Sequence, residues 1–179
     1  MGLLYRACKS GNLKWLEIAL LKGADPTEAI RWAARNGHLD MVNRLLDLEG
    51  VDPTADNNFA LRWAATYGHL DMVNRLLDLE GVDPTARNNE ALRGAAENGH
   101  LDVVNRLLGI DVVDPTADDN YALRLAAKNG YLGVVNRLLD LEGVDPTAMN
   151  NEAIRWAARK GHLDVVNRLL DIEGVDPTA

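Results

Sequence analysis

The chain of 179 residues is short of several things: it holds one serine, one cysteine and one phenylalanine, and nowhere do its basic residues cluster. Each shortage removes a class of function. With Ser10 alone, a serine-based triad has almost nothing to use. Cys8 has no second cysteine to pair with, which fits a reducing compartment. Lys and Arg number 19 against 27 Asp and Glu, a net charge of -8, so the basic footprint that phosphate backbones require is missing and no nucleic-acid partner is expected. The stretch from Met1 to Leu21 carries Arg6, Lys9, Lys14 and Glu17 and has no long apolar run. It reads as neither signal peptide nor membrane span, and the chain is expected to be soluble, intracellular and cytoplasmic, with no membrane partner. No phosphate loop, carboxylate dyad or nucleophile–base pair recurs, so neither an enzyme nor a bound cofactor is expected.

What the chain has in abundance is repetition. The pentapeptide Val-Asp-Pro-Thr-Ala begins at Val51, Val82, Val113, Val144 and Val175, always 31 residues apart. A fixed period of this length marks a stacked array, whose single unit cannot bury its apolar side without neighbours. His38, His69, His100 and His162 recur one unit apart, too far to share a metal ion through bonds of about 2 Å, and read as turn residues.

One unit can be read from Asp52 to Gly81. Asn57 and Asn58 suit a helix N-cap, so the spacing predicts a first helix over about Phe59–Thr66, stopped at Gly68. A second helix is expected from Leu70 to about Leu79, closed by Gly81, before Asp-Pro-Thr supplies turn chemistry. Ala60, Leu61, Ala64 and Ala65 form the core side of the first helix, and its alanines allow close approach. Leu70, Met72, Val73, Leu76 and Leu77 form that of the second. Asp71, Asn74, Arg75 and Asp78 make a solvated stripe, with an expected Asp71–Arg75 ion pair. Phe59, Trp63, Thr66 and Tyr67 are left over from core packing.

These phrases resemble the ankyrin repeat family. Ala-Leu-Arg-Trp-Ala-Ala at Ala60 to Ala65 stands in the place of that family's Thr-Pro-Leu-His-x-Ala-Ala. Gly68-His69-Leu70-Asp71-Met72-Val73, Leu76-Leu77 and Gly81-Val82-Asp83 match its Gly-His-Leu-Glu-Val-Val, Leu-Leu and Gly-Ala-Asp. The resemblance covers essentially the whole chain. It implies an all-α, ankyrin-type solenoid of six helix-turn-helix units with short inter-unit loops. Because the usual 33-residue repeat is here 31, a compact loop is expected in place of a β-hairpin finger. The Asn-Asn-x-Ala-Leu-Arg-Trp-Ala-Ala variant also looks like the arrays of intracellular bacteria and giant viruses, with delivery into a host cell as the corollary.

The six units fall at about 1–27, 28–50, 51–81, 82–112, 113–143 and 144–179 of one domain, 1–179. The first reads as an N-terminal cap with Arg6, Lys14, Glu17 and Ile18 on its wetter side. The sixth carries interior-type residues Ala157, Ala158, Val165, Val166, Leu169 and Leu170. This leaves open a piece of a longer array, a covered or self-stacking end face, and a designed array. A monomer is the expected state. Gly109 and Val112 are expected to end a helix early, and Gly133 to remove an ion pair of Arg137, which makes 94–133 the expected weak stretch.

Comparison of units points to a face. Val51–Gly81 and Val144–Gly174 are identical at 24 of 31 positions. Three differences are apolar swaps, and the other four are drastic: Asp56/Met149, Phe59/Glu152, Thr66/Arg159 and Tyr67/Lys160. All four lie on the loop tip or the leftover stripe, while the second helix's polar stripe hardly changes. One row runs Trp32, Trp63, Gly94, Leu125, Trp156. Beside it run Glu28, Phe59, Glu90, Tyr121, Glu152 and Arg35, Thr66, Glu97, Lys128, Arg159. With Lys160 and the tip residues Asp56, Arg87 and Met149, these rows are the candidate surface for a protein or peptide partner, since Trp, Tyr and Arg anchor interfaces. The resemblance implies the same, as ankyrin proteins bind partners through the finger and the concave inner helices. Packing between first helices is the alternative role for the tryptophans. Arg31, Arg62, Arg93, Arg124 and Arg155 read as a structural ladder to loop carbonyls or to Asp52-type carboxylates.

Overall fold

The computed structural model describes residues 2–176; Met1 and residues 177–179, the end of the last Val-Asp-Pro-Thr-Ala, lie outside the described residues. Six helix pairs follow one another: α1 (Leu3–Ser10) and α2 (Leu13–Leu21), α3 (Pro26–Arg35) and α4 (Leu39–Leu46), α5 (Ala55–Thr66) and α6 (Leu70–Leu77), α7 (Ala86–Glu97) and α8 (Leu101–Leu108), α9 (Ala117–Asn129) and α10 (Leu132–Leu139), and α11 (Ala148–Lys160) and α12 (Leu163–Leu170). Among the described residues there is no strand, so the expected compact loops, not hairpin fingers, join the pairs.

Packing follows the sequence pattern. First helix lies on first helix along the stack, and each second helix covers its own first helix from one side. Ala60, Leu61, Ala64, Ala65, Met72, Val73 and Leu76 are all buried, as are their equivalents in the next two units. Alanine at two or more core positions of α3, α5, α7, α9 and α11, and Ala7 beside Cys8 in α1, removes the side-chain bulk that would hold neighbouring helices apart.

The loops depart from expectation in one respect. Asp56, Asn57 and Asn58 all lie in the left-handed region, with φ of 53°, 56° and 59°. The same three-residue turn recurs at 87–89, 118–120 and 149–151. Asn and Asp tolerate this conformation better than other L-residues, which accounts for the Asn-Asn signature; Arg87 and Met149 adopt it too, at a cost of about 1 kcal/mol each. Asn58 is therefore not the N-cap its position suggests. Its buried side-chain carbonyl accepts the Asp83 N–H at 3.0 Å, tying the turn to the next loop. Asn89, Asn120 and Asn151 repeat this with Asp114, Asp145 and Asp176. In the second pair the turn is absent: Asp25 caps the Thr27 N–H directly, Pro26 opens α3, and Thr27 Oγ1 accepts the Asp52 N–H.

Helix α8 does not end early. It spans eight residues like α6 and α10, with Gly109 as its C-cap.

Candidate partner-binding face

The first-helix arginines form a ladder, and its carboxylates are not those of the Asp52 type. Asp52 is occupied with Thr54, accepting its N–H at 2.8 Å and its hydroxyl at 2.6 Å, which holds the Asp52 carboxyl below its ordinary range. Arg62 instead donates to the Asn57 and Asp56 carbonyls of its own turn, both at 2.9 Å, and its Nη1 reaches Glu90 of the next unit at 2.6 Å. Arg124 binds the Asp119 and Asp118 carbonyls and passes to Glu152. Arg31 pairs with Asp56, and Arg93 with Asp118.

Each of these arginines thus reaches one carboxylate of the following unit, supplied from either of two positions. Where the tip carries Asp (Asp56, Asp118), the second position is aromatic (Phe59, Tyr121). Where the tip is Arg87 or Met149, the second position is Glu90 or Glu152. The aromatic ring then sits between two guanidinium groups: Phe59 is 5.7 Å from Arg31 and 5.4 Å from Arg62, and Tyr121 is 5.6 Å from Arg93 and 4.8 Å from Arg124. Two of the four drastic differences between units, Asp56/Met149 and Phe59/Glu152, are therefore two settings of one inter-unit connector.

The constancy of the second helix has a matching cause. Arg75 makes no ion pair with Asp71; its Nε donates to Asn43 of the preceding unit at 2.8 Å. Arg106, Arg137 and Arg168 do the same to Asn74, Asn105 and Asn136. Gly133 accordingly takes nothing from Arg137. The turn histidines are donors between units: His69 Nε2 meets the Arg35 carbonyl at 3.0 Å, while its ring lies over Gly37. Tyr131 fills the same seat over Gly99 but lacks the imidazole donor, and Asn129 Nδ2 donates to the vacated Glu97 carbonyl at 3.0 Å.

Toward the N-terminal end the remaining rows gather into an aromatic strip. Trp32 meets Tyr5 edge-on at 5.3 Å and Trp63 edge-on at 6.2 Å; Phe59 stacks on Trp63 at 4.6 Å, and Tyr67 lies 5.7 Å from Trp63. The tryptophans thus pack between units while keeping part of their rings in solvent. Arg35 lies among them, its guanidinium centre 4.1 Å from the Trp63 ring, 5.2 Å from Tyr67 and 5.4 Å from Trp32, with Nη2 donating to the Tyr67 hydroxyl at 2.9 Å. A cation one unit before a tryptophan recurs at Lys128, whose Nζ is 4.9 Å from the Trp156 ring.

Between these clusters the row is interrupted. A Cβ at Gly94 would meet the hydroxyl of Thr66, which donates to the Arg62 carbonyl at 2.8 Å. Gly94 is thus imposed by its neighbour, and it floors a recess of about 380 Å³ walled by Trp63, Tyr67 and Tyr121 with Glu97 at the rim. Leu125 is 4% exposed and offers a partner little. Arg87, Met149, Arg159 and Lys160 are exposed, Arg87 leaning 3.4 Å from Glu90. Lys9 and Tyr5, which sequence reasoning passed over, join Trp32 and Arg35 in a recess of about 400 Å³. Alignment of Gly11 with Gly37 would have found Lys9 as the counterpart of Arg35.

The chain's nucleophiles are committed to structure. The Ser10 hydroxyl donates to the Arg6 carbonyl at 2.8 Å. Cys8 is buried against the Ala29 carbonyl, and burial, with a smaller push from Glu28, raises its thiol to about 11. Among the described residues no helix is long and apolar enough to cross a membrane, and no cluster of ligating side chains could hold a metal.

Comparison with curated proteins returned no match. A family model described as ankyrin repeats (3 copies) matches residues 4–88 and 92–179. Repeats of this kind are generally protein–protein interaction modules and typically not enzymes. With twelve helices in six stacked pairs among the described residues and that match over nearly its whole length, the chain belongs to the ankyrin repeat family.

Proposed function

We propose that the chain is a non-catalytic scaffold that takes a partner protein or peptide on its first-helix face and loop tips. The observation that carries this reading is the strip of Trp32, Phe59, Trp63 and Tyr67 with Arg35 set into it. Large aromatic surface is left partly in water on a scaffold where Arg31, Arg62, Arg93 and Arg124 of the first helices and most second-helix Arg and Asn side chains are spent on inter-unit bonds. Such surface binds at low entropic cost, because these side chains are already held in place. The differences Thr66/Arg159 and Tyr67/Lys160 fall on the same face, and of these side chains Tyr67 takes an inter-unit bond from Arg35. No cofactor enters this reading, and a monomer engaging its partner through one face suffices for it.

The test is affinity capture from a cell lysate with the intact chain beside two variants. One changes Trp32, Phe59, Trp63, Tyr67 and Trp156 to Ala; the other changes only the exposed Tyr67, Arg159 and Lys160 to Ala. Matching helical circular dichroism is required first. A protein held by the intact chain and lost by both variants supports the face; equal retention by all three removes it.

A further inference from the structure

We infer that the recess around Arg35 is an anion socket, which anchors a carboxylate of the bound partner. The inference rests on the scaffold reading and names the chemistry of its first anchor.

Charge placement is the starting point. In a chain of net charge -8, Arg31, Arg62, Arg93 and Arg124 on the first helices each have a carboxylate partner. Arg35 has none among the described residues, and neither has Lys9, which lines the same recess. Two like charges share about 400 Å³ of open volume with no acid among its lining residues. An arrangement of that kind is costly alone and favourable once an anion arrives.

Arg35 is also aimed. Three aromatic rings at 4.1, 5.2 and 5.4 Å and the Tyr67 hydroxyl at 2.9 Å restrict its guanidinium, and that single side-chain bond leaves further N–H donors unspent. The rings exclude water from one side of the group without neutralising it, so an incoming carboxylate meets a partly desolvated, pre-oriented fork. His69 fixes the backbone beneath by bonding the Arg35 carbonyl, and Asn36 at the wall, donating Nδ2 to the Trp32 carbonyl at 2.7 Å, holds the floor. The related pair of Lys128 on Trp156 has a single ring and no hydroxyl anchor, so among the described residues the full socket is built at the N-terminal end.

The probes are acetyl-(Glu)4-amide, whose carboxylates are all on side chains, and acetyl-(Ala)4 with a free C-terminus. Acetyl-(Gln)4-amide is the neutral control. Each is titrated to 10 mM while the indole N–H and arginine Nε–H signals are followed by NMR. The expected result is a saturable shift of the Trp32, Trp63 and Arg35 signals with one of the two anionic peptides and not with the control. The responding peptide tells a side-chain carboxylate from a terminal one. Arg35→Gln should weaken that binding about tenfold, and Lys9→Gln, which touches none of the ring contacts, about threefold. Equal shifts with the Gln peptide, no shift at all, or binding unchanged in both variants would overturn the socket. If the aromatic variant loses a captured protein that Arg35→Gln and Lys9→Gln retain, the scaffold stands and the socket falls. If capture is indifferent to the aromatic residues while the peptide still depends on Arg35, the scaffold reading falls instead.

Discussion

At the scale of the residue, much of this chain's constancy is a matter of who touches whom across a unit boundary. Gly37 shows it. With φ of 71°, an L-residue there is strained, and a Cβ would also lie 2.7 Å from His69 Nδ1, against the ring that carries the inter-unit hydrogen bond. Gly23 has a similar φ of 83°, but a Cβ there would meet nothing within 4 Å. Gly23→Ala should therefore cost only the backbone strain, about 1 kcal/mol, whereas Gly37→Ala adds the displaced histidine and should cost about 2–3 kcal/mol. Urea unfolding of the two variants checks this, and equal losses would mean that the ring swings away without penalty.

At the scale of the element, the informative object is the connector between first helices. Converting the fourth unit's Arg87 and Glu90 to the third unit's Asp and Phe should move Arg62 from one carboxylate to another without loss. Glu90→Phe alone leaves Arg62, a residue only 3% exposed, without its acid. It should cost about 1–3 kcal/mol, less than a fully buried pair because Glu90 is one-third exposed. Adding Arg87→Asp should recover most of that, a coupling readable from a double-mutant cycle in thermal or urea unfolding. Additive losses would show that the two positions are not alternatives. The helices themselves were legible in the sequence, since Ala-Leu-x-x-Ala-Ala and Met/Val-Val-x-x-Leu-Leu mark a period of 3.6, and Gly68 and its equivalents follow the end of each first helix. The connector was not. Asn57-Asn58 reads as an N-cap as well as a left-handed turn, and only the turn brings Asp56 under the preceding arginine. The Asp71–Arg75 pair failed for a similar reason: i, i+4 spacing allows it, but Asn43 on the neighbouring helix offers Arg75 a better-placed acceptor. Of the candidate face, the aromatic strip was legible from its spacing and Lys9 from the alignment of Gly11 with Gly37, while the commitment of Glu90 and Glu152 to arginine required the stack.

At the scale of the molecule, the question is whether the two ends of the stack fit each other. Leu163 is 71% and Leu170 48% exposed at the last pair, and Leu21 is 88% and Trp15 43% exposed at the first, so apolar surface faces outward at both. Interior units, however, join through four polar plugs: a His ring over a glycine, its Nε2 on a carbonyl, an Arg on an Asn, and a carboxylate on an Arg. On the last pair, among the described residues, Gly161 has nothing near its Cβ direction, Asn167 receives no arginine, and Arg155 has no carboxylate. The first pair carries Asn12 where the others have His or Tyr131, Ile18 where they have Arg, and no acidic turn. Stacking a second copy head to tail would bury those sockets unfilled, at about 1–3 kcal/mol each. The few leucines would return about 1.5–3 kcal/mol each, against about 4–15 kcal/mol for association itself. We predict from this balance that copies of this chain do not stack end to end. Sedimentation equilibrium over a hundredfold concentration range should therefore give one species at 19.6 kDa. A mass that climbs with concentration, and falls back in Leu170→Glu, would show instead that the apolar rims suffice without the plugs.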